Sequence, residues 1–102
     1  MMIENGKDVK ELMNYSSGGI LSKVIVKTDK NNVTLFCMAK GTNISEHTTT
    51  KEGFVYVVEG KGIFNLEGKD IEMLPGVFIY LQKNQKHSLK AEEDTTFILA
   101  LS

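Results

Sequence analysis

His47 and His87 are the only imidazoles in the chain. The first stands in the run Gly41-Thr-Asn-Ile-Ser-Glu-His47-Thr-Thr49-Thr-Lys-Glu-Gly53, which leads on to Gly60. The second closes the run Gly76-Val-Phe-Ile-Tyr-Leu-Gln82-Lys-Asn84-Gln-Lys-His87. A neutral imidazole can ligate a transition metal, and near neutral pH it can also take or give a proton. Two such ligands fall short of the three protein ligands that a catalytic zinc site uses. Thr49 shares strand parity with His47 and is expected to face the same way, offering a hydroxyl to a ligand. Glu46 adjoins His47, so alternation turns it to the other face. The sequence holds no Ser-His-Asp arrangement, P-loop or dinucleotide fingerprint. Cys37, the sole cysteine, cannot form an intramolecular disulfide, and its apolar run Val33–Ala39 reads as the setting of a buried, inert thiol.

The elements that must position these residues are strands. Ile20–Lys27 and Val33–Ala39 are β-branched and apolar, and Thr28-Asp-Lys-Asn-Asn32 between them carries the turn chemistry of a hairpin. Short strands are expected at 44–50, 54–58, 63–66, 69–74, 77–81 and 95–101, about nine or ten in all, with 83–86 as a loop delivering His87. Turn residues every eight to twelve positions indicate a sandwich or barrel rather than alternating helix and strand. Residues 7–15 can make one or two helical turns through Val9, Leu12 and Met13 before Ser16-Ser-Gly-Gly19 breaks them. Gly60, Gly62, Gly68 and Gly76 fall at strand junctions, where positive φ is costly for a residue with a Cβ. Phe36, Phe64, Phe78 and Phe97 are expected in the core, with Phe36 and Phe97 as candidates for the lining of an apolar ligand pocket. Ile20–Val26 is apolar on both faces, with Ile20, Val24 and Val26 on one and Leu21 and Ile25 on the other. An edge strand of a monomer should not be, so a homodimer is expected.

The two glycine-framed histidines resemble the two signature motifs of the cupin family, small β-barrels that usually hold a metal between their strands. In the first motif Gly41, His47 and Gly60 match, while Thr49 replaces the family's second histidine and Gly53 its glutamate. Glu52 lies one residue out of step with that glutamate and should point to the other face unless a bulge intervenes. In the second motif Gly76 and His87 match, while Gln82, Asn84 and Ala91 replace proline, glycine and asparagine. Asn84 tolerates the left-handed conformation that the family's glycine adopts. The resemblance implies an all-β, single-domain jelly-roll barrel over residues 20–102 behind an N-terminal arm of residues 1–19, with the turn glycines Gly41, Gly60 and Gly76. It further implies that His47 and His87 face each other across one end of the barrel. There they would hold a divalent manganese, iron, nickel, copper or zinc ion, or line a metal-free ligand pocket.

Composition narrows the partners. A chain of 102 residues is one domain, and 41% hydrophobic residues suffice for one core. Twelve basic residues balance thirteen acidic ones without a charged block, which argues against nucleic acid, whose binding needs clustered cations. No apolar run reaches the ~18 residues of a membrane span, and the N-terminus lacks a secretory apolar region, so a cytoplasmic protein is expected. The function expected is small-molecule binding, with or without a metal. Similar barrels act as dioxygenases, isomerases or lyases on sugars, acids or polyketide-like molecules, and the competing use is a ligand sensor or storage protein.

Overall fold

The computed structural model describes residues 6–102. The first five residues of the expected N-terminal arm lie outside that range. Nine strands and one short helix follow in order: α1 (Val9–Leu12), β1 (Ile20–Lys27), β2 (Asn32–Met38), β3 (Asn43–His47), β4 (Gly53–Glu59), β5 (Gly62–Leu66), β6 (Lys69–Met73), β7 (Phe78–Leu81), β8 (His87–Ala91) and β9 (Thr95–Leu101). The strand β8 was not among the expected ones, although His87, Leu89 and Ala91 turn inward in alternation with Ser88 and Lys90 over its five positions. No helix among the described residues is long and apolar enough to cross a membrane.

Two antiparallel sheets form a jelly roll. One runs β1-β2-β9-β4-β7 and the other β3-β8-β5-β6. Between them lies one core, to which Val55, Val57 and Phe97 contribute from the larger sheet and Phe64, Leu89 and Ala91 from the smaller. The β5–β6 hairpin closes on Glu67-Gly68 with φ of 51° and 84°. Positive φ at both positions is the two-residue turn whose twist suits antiparallel strands. The Asn65 side chain ties it down, accepting the Gly68 N–H at 3.2 Å and donating to Asp70 at 2.8 Å.

Three expectations are corrected by the strand geometry. Phe78 is 59% exposed, because on the edge strand β7 it is Ile79 and Leu81 that turn inward. Gly62 does not have positive φ; it is glycine because a Cβ there would press on the Lys90 carbonyl oxygen, 2.6 Å away. Finally, a bulge in β1 pairs Val24 with Thr34 but Val26 with Val33, so Val26 lies on the face opposite Val24.

The N-terminal arm is pinned to the outer face of the larger sheet. Tyr15 donates its hydroxyl hydrogen to Glu59 at 2.7 Å and also meets the Thr96 hydroxyl. The Thr96 hydroxyl also lies 3.5 Å from the Cys37 sulfur. Burial raises the pKa of the Tyr15 hydroxyl, partly opposed by the Thr96 hydrogen bond, so the group stays a donor. Cys37 is buried, as its setting in the sequence implies.

The turn glycines Gly41, Gly60 and Gly76 all have positive φ, and Asn84 adopts it too at 64°. At Gly60 a second constraint adds to the first, because a Cβ would overlap the Asp94 carbonyl, whereas Gly76 has open space around it. Gly76→Ala should therefore cost about 1–2 kcal/mol, the left-handed penalty alone. Gly60→Ala should cost clearly more, because β9 must also move. Urea unfolding of the two variants checks this, and equal costs would contradict it.

Candidate functional site

The site begins with an irregularity in β3. Its partner β8 pairs Leu89 with Ile44 and His87 with His47. Two steps along β8 thus correspond to three along β3, and the extra residue is a bulge at Ser45–Glu46. Strict alternation would put Ile44 and His47 on opposite faces. The bulge turns both inward, where they line one cavity together with His87.

That cavity measures about 90 Å³. Its other walls are hydrocarbon: Phe36, Phe97 and Leu99 from β2 and β9, Val55 and Leu81 from β4 and β7, and Phe64 and Leu89 from the smaller sheet. Phe36 and Phe97 are directly cross-strand and stack with ring centroids 5.0 Å apart and planes 10° apart. Phe64 stacks on His87 at 5.7 Å with planes 3° apart. The two imidazoles meet at 4.1 Å between centroids, tilted by 59°. His87 is only 4% exposed and sits deep, whereas His47 is exposed and stands at the mouth.

Each imidazole is oriented in the same way. His47 Nδ1 lies 2.8 Å from the carbonyl oxygen of Ser45, and His87 Nδ1 lies 3.0 Å from that of Gln85. A carbonyl oxygen only accepts, so each Nδ1 carries the hydrogen and donates it. In the neutral ring this leaves Nε2 as a lone-pair acceptor, and neither Nε2 has a hydrogen-bond partner among the described residues. Burial lowers the pKa of His87. The Gln85 carbonyl opposes that shift, and the neighbouring His47 adds to it.

The remaining candidates lie elsewhere. Thr49 follows the end of β3, outside the cavity lining, and its hydroxyl accepts the Lys51 N–H at 3.2 Å. The parity argument for it fails because the strand has already ended. Glu52 is turned away, accepting the Tyr80 hydroxyl at 2.7 Å, and Glu46 is exposed on the bulge. At Gly53 a Cβ would overlap the Ala100 carbonyl, so β9 fills the space that a side chain would need. No group of three or more His, Cys, Asp or Glu among the described residues is placed to hold a metal. Among the described residues two imidazoles are therefore the whole offer, and an ion held by them alone would need water or an organic ligand to complete its shell. Sequence reasoning missed most of the wall, although the alternation of Val55 and Val57 in β4, and of Leu89 and Ala91 in β8, was there to be read. It also had no signal for the two orienting carbonyls, since main-chain oxygens are common to every residue.

The sequence profile of the cupin domain family matches residues 34–101. No curated protein sequence matches the chain. Among solved structures, a cupin superfamily protein from Desulfitobacterium hafniense is similar over 99% of this chain and 97% of its own, with 14% identity and a TM-score of 0.88. A cupin 2 conserved barrel domain protein from Leptotrichia buccalis is similar over 90% of this chain and 45% of its own, with 28% identity and a TM-score of 0.85. A mutant of salicylate 1,2-dioxygenase from Pseudoaminobacter salicylatoxidans, in complex with gentisate, is similar over 81% of this chain and 25% of its own, with 16% identity and a TM-score of 0.76.

The lowered pKa of His87 makes stability depend on pH with a definite sign. In the unfolded chain the ring protonates near pH 6.5, and in the folded protein only at lower pH. Between those values the unfolded state binds more protons, so stability is full above about pH 6.5 and falls as the solution is acidified. Urea midpoints at pH 7.5 and 5.5 should differ in wild type, and the difference should shrink in His87→Phe. An unchanged difference in that variant would assign the effect to other groups.

Proposed function

This chain belongs to the cupin domain family, and we propose that it binds a small organic molecule in the His47–His87 cavity, with its apolar end inward. The observation that carries this reading is a pair of fixed, unpartnered imidazole acceptors set over a cavity whose other walls are all hydrocarbon. An apolar hollow with a few convergent polar groups is the usual form of a small-molecule site. Phe36 and Phe97 supply the flat apolar surface, and His47 at the mouth meets the polar end. The turn glycines Gly41, Gly60 and Gly76 serve the frame and not the ligand.

A divalent transition metal held by His47 and His87 is the second reading, favoured by one specific observation. A metal-ligating histidine typically donates its other ring N–H to a carbonyl or carboxylate, as both histidines do here. When bound, such an ion would supply a Lewis acid to a coordinated oxygen. The protein's own part would be to hold the two rings and exclude water with Phe36, Phe64 and Phe97. An oxygenase, isomerase or lyase activity belongs to this reading, supported by the fold shared with salicylate 1,2-dioxygenase. A sensor or storage role belongs to the metal-free one.

The larger sheet also supports a homodimer. Ile20 and Val24 extend its inner face past the cover of the smaller sheet, and Val24 is 62% exposed. Apolar residues on an edge strand at that exposure invite a second copy. Light scattering at micromolar concentration should give about twice 11.4 kDa for wild type, and Val24→Lys should shift the mass toward the monomer. A monomeric wild type would end this proposal.

Elemental analysis of untagged protein separates the two readings of the site: near-stoichiometric manganese, iron, nickel, copper or zinc supports the second, and its absence supports the first. In calorimetric titrations with manganese, nickel and zinc, His47→Ala and His87→Ala should each lose most of any affinity the wild type has. Thr49→His should gain little, because position 49 does not reach the cavity. A gain of ten-fold or more in Thr49→His would contradict this and bring position 49 to the metal.

A further inference from the structure

The lining of the cavity restricts what the polar end of its occupant can be. We propose that the ligand presents an NH₂ group, as a primary amide or a primary amine, to His47 and His87, and that its body is a chain of about three or four carbons. This assignment rests on the pocket reading above and narrows it to a chemical class.

Both Nδ1 hydrogens are already given to the carbonyls of Ser45 and Gln85, so the neutral rings offer the ligand only the lone pairs of Nε2. Every other lining residue is hydrocarbon, with no lysine, arginine, amide or hydroxyl among them. A carboxylate or phosphate would thus meet no hydrogen-bond donor from the neutral rings or the walls, and whatever hydration it gave up on entering would go unreplaced. A group that donates two hydrogens satisfies both acceptors at once. Two N–H···N bonds of about 3 Å from one nitrogen span roughly 5 Å between their acceptors, and rings with centroids 4.1 Å apart are close enough to share such a nitrogen. An alcohol has one O–H and would leave one imidazole unmet.

Size sets the rest. The hollow is about 90 Å³, smaller than the ~150 Å³ engineered cavity that takes benzene. An aromatic ring does not fit behind the histidines without repacking the Phe36–Phe97 stack, but a short aliphatic chain does. Because His47 is exposed, the head group sits at the mouth, where an ammonium form keeps part of its hydration.

Butyramide and butyrate have nearly the same shape and differ in that the first donates two hydrogens and the second none. Chelator-treated protein at pH 8 is titrated with butyramide, n-butylamine and butyrate. Binding is followed by NMR at the histidine ring carbons and at Phe36 and Phe97, and xenon serves as an independent probe of the hollow. The expected result is that xenon shifts Phe36 and Phe97, and that butyramide or n-butylamine binds at least ten-fold more tightly than butyrate. In His47→Ala, a substitution at an exposed position, xenon should still enter while that preference falls toward one-fold. If xenon enters but butyrate binds as well as both NH₂ compounds, the head-group assignment is overturned and the pocket reading stands. If xenon does not enter, both are overturned. A preference for the amide over the amine, or the reverse, identifies which NH₂ chemistry the site takes.

Discussion

The site depends on the register between β3 and β8. His47 faces His87 because one extra residue is accommodated in β3 between Ile44 and His47. Without that bulge, every residue beyond Ser45 would point the other way, and the exposed imidazole would lie on the solvent side of the smaller sheet. On its other edge β8 pairs regularly with β5, where Leu66 faces His87 and Phe64 faces Leu89. The Phe64 ring then reaches back along the strand to stack on His87. The irregular position in β3 thus fixes the meeting of the two imidazoles, and the regular β5–β8 pairing fixes the aromatic support of the deeper one.

What the two histidines can do follows from their surroundings more than from their identity. Main-chain carbonyls hold both rings in one tautomer, hydrocarbon packs around the deeper one, and among the described residues no further side-chain ligand joins them. Gly53 shows the last point most clearly, because the β9 carbonyl of Ala100 occupies the space where a side chain would start. Thr49 lies past the end of β3, and Glu52 is engaged with Tyr80 on the outer surface. The two-imidazole set is thus built into the backbone and is not simply a matter of which residues occupy the positions.

The fold was legible because turn chemistry and strand composition agree. Glu67-Gly68, Pro75-Gly76 and the 28–31 turn separate runs of β-branched residues, and the structure places strands between them. The histidines were legible as a pair because of the glycine frames around them. Parity was the weak step. It holds along β4 and β8, where Val55 and Val57, and His87 and Leu89, alternate inward without interruption. It fails wherever a bulge or a strand end intervenes, at Val26, at Ile44–His47 and at Thr49, because nothing in the local residue types marks where one strand gains a residue over its partner. Phe78 was misread for a related reason. An all-apolar run of four or five residues does not reveal which of its faces is inside.

The central claim is that both imidazoles are locked with hydrogen on Nδ1 and an open acceptor at Nε2. Long-range nitrogen–proton correlation NMR of the metal-free protein, labelled at histidine with nitrogen-15, reads this directly at pH 8. The account predicts that in both residues Nδ1 shows the shift of a protonated ring nitrogen and Nε2 that of an unprotonated one. A protonated Nε2 in either ring, or averaged shifts indicating free exchange between tautomers, would contradict it.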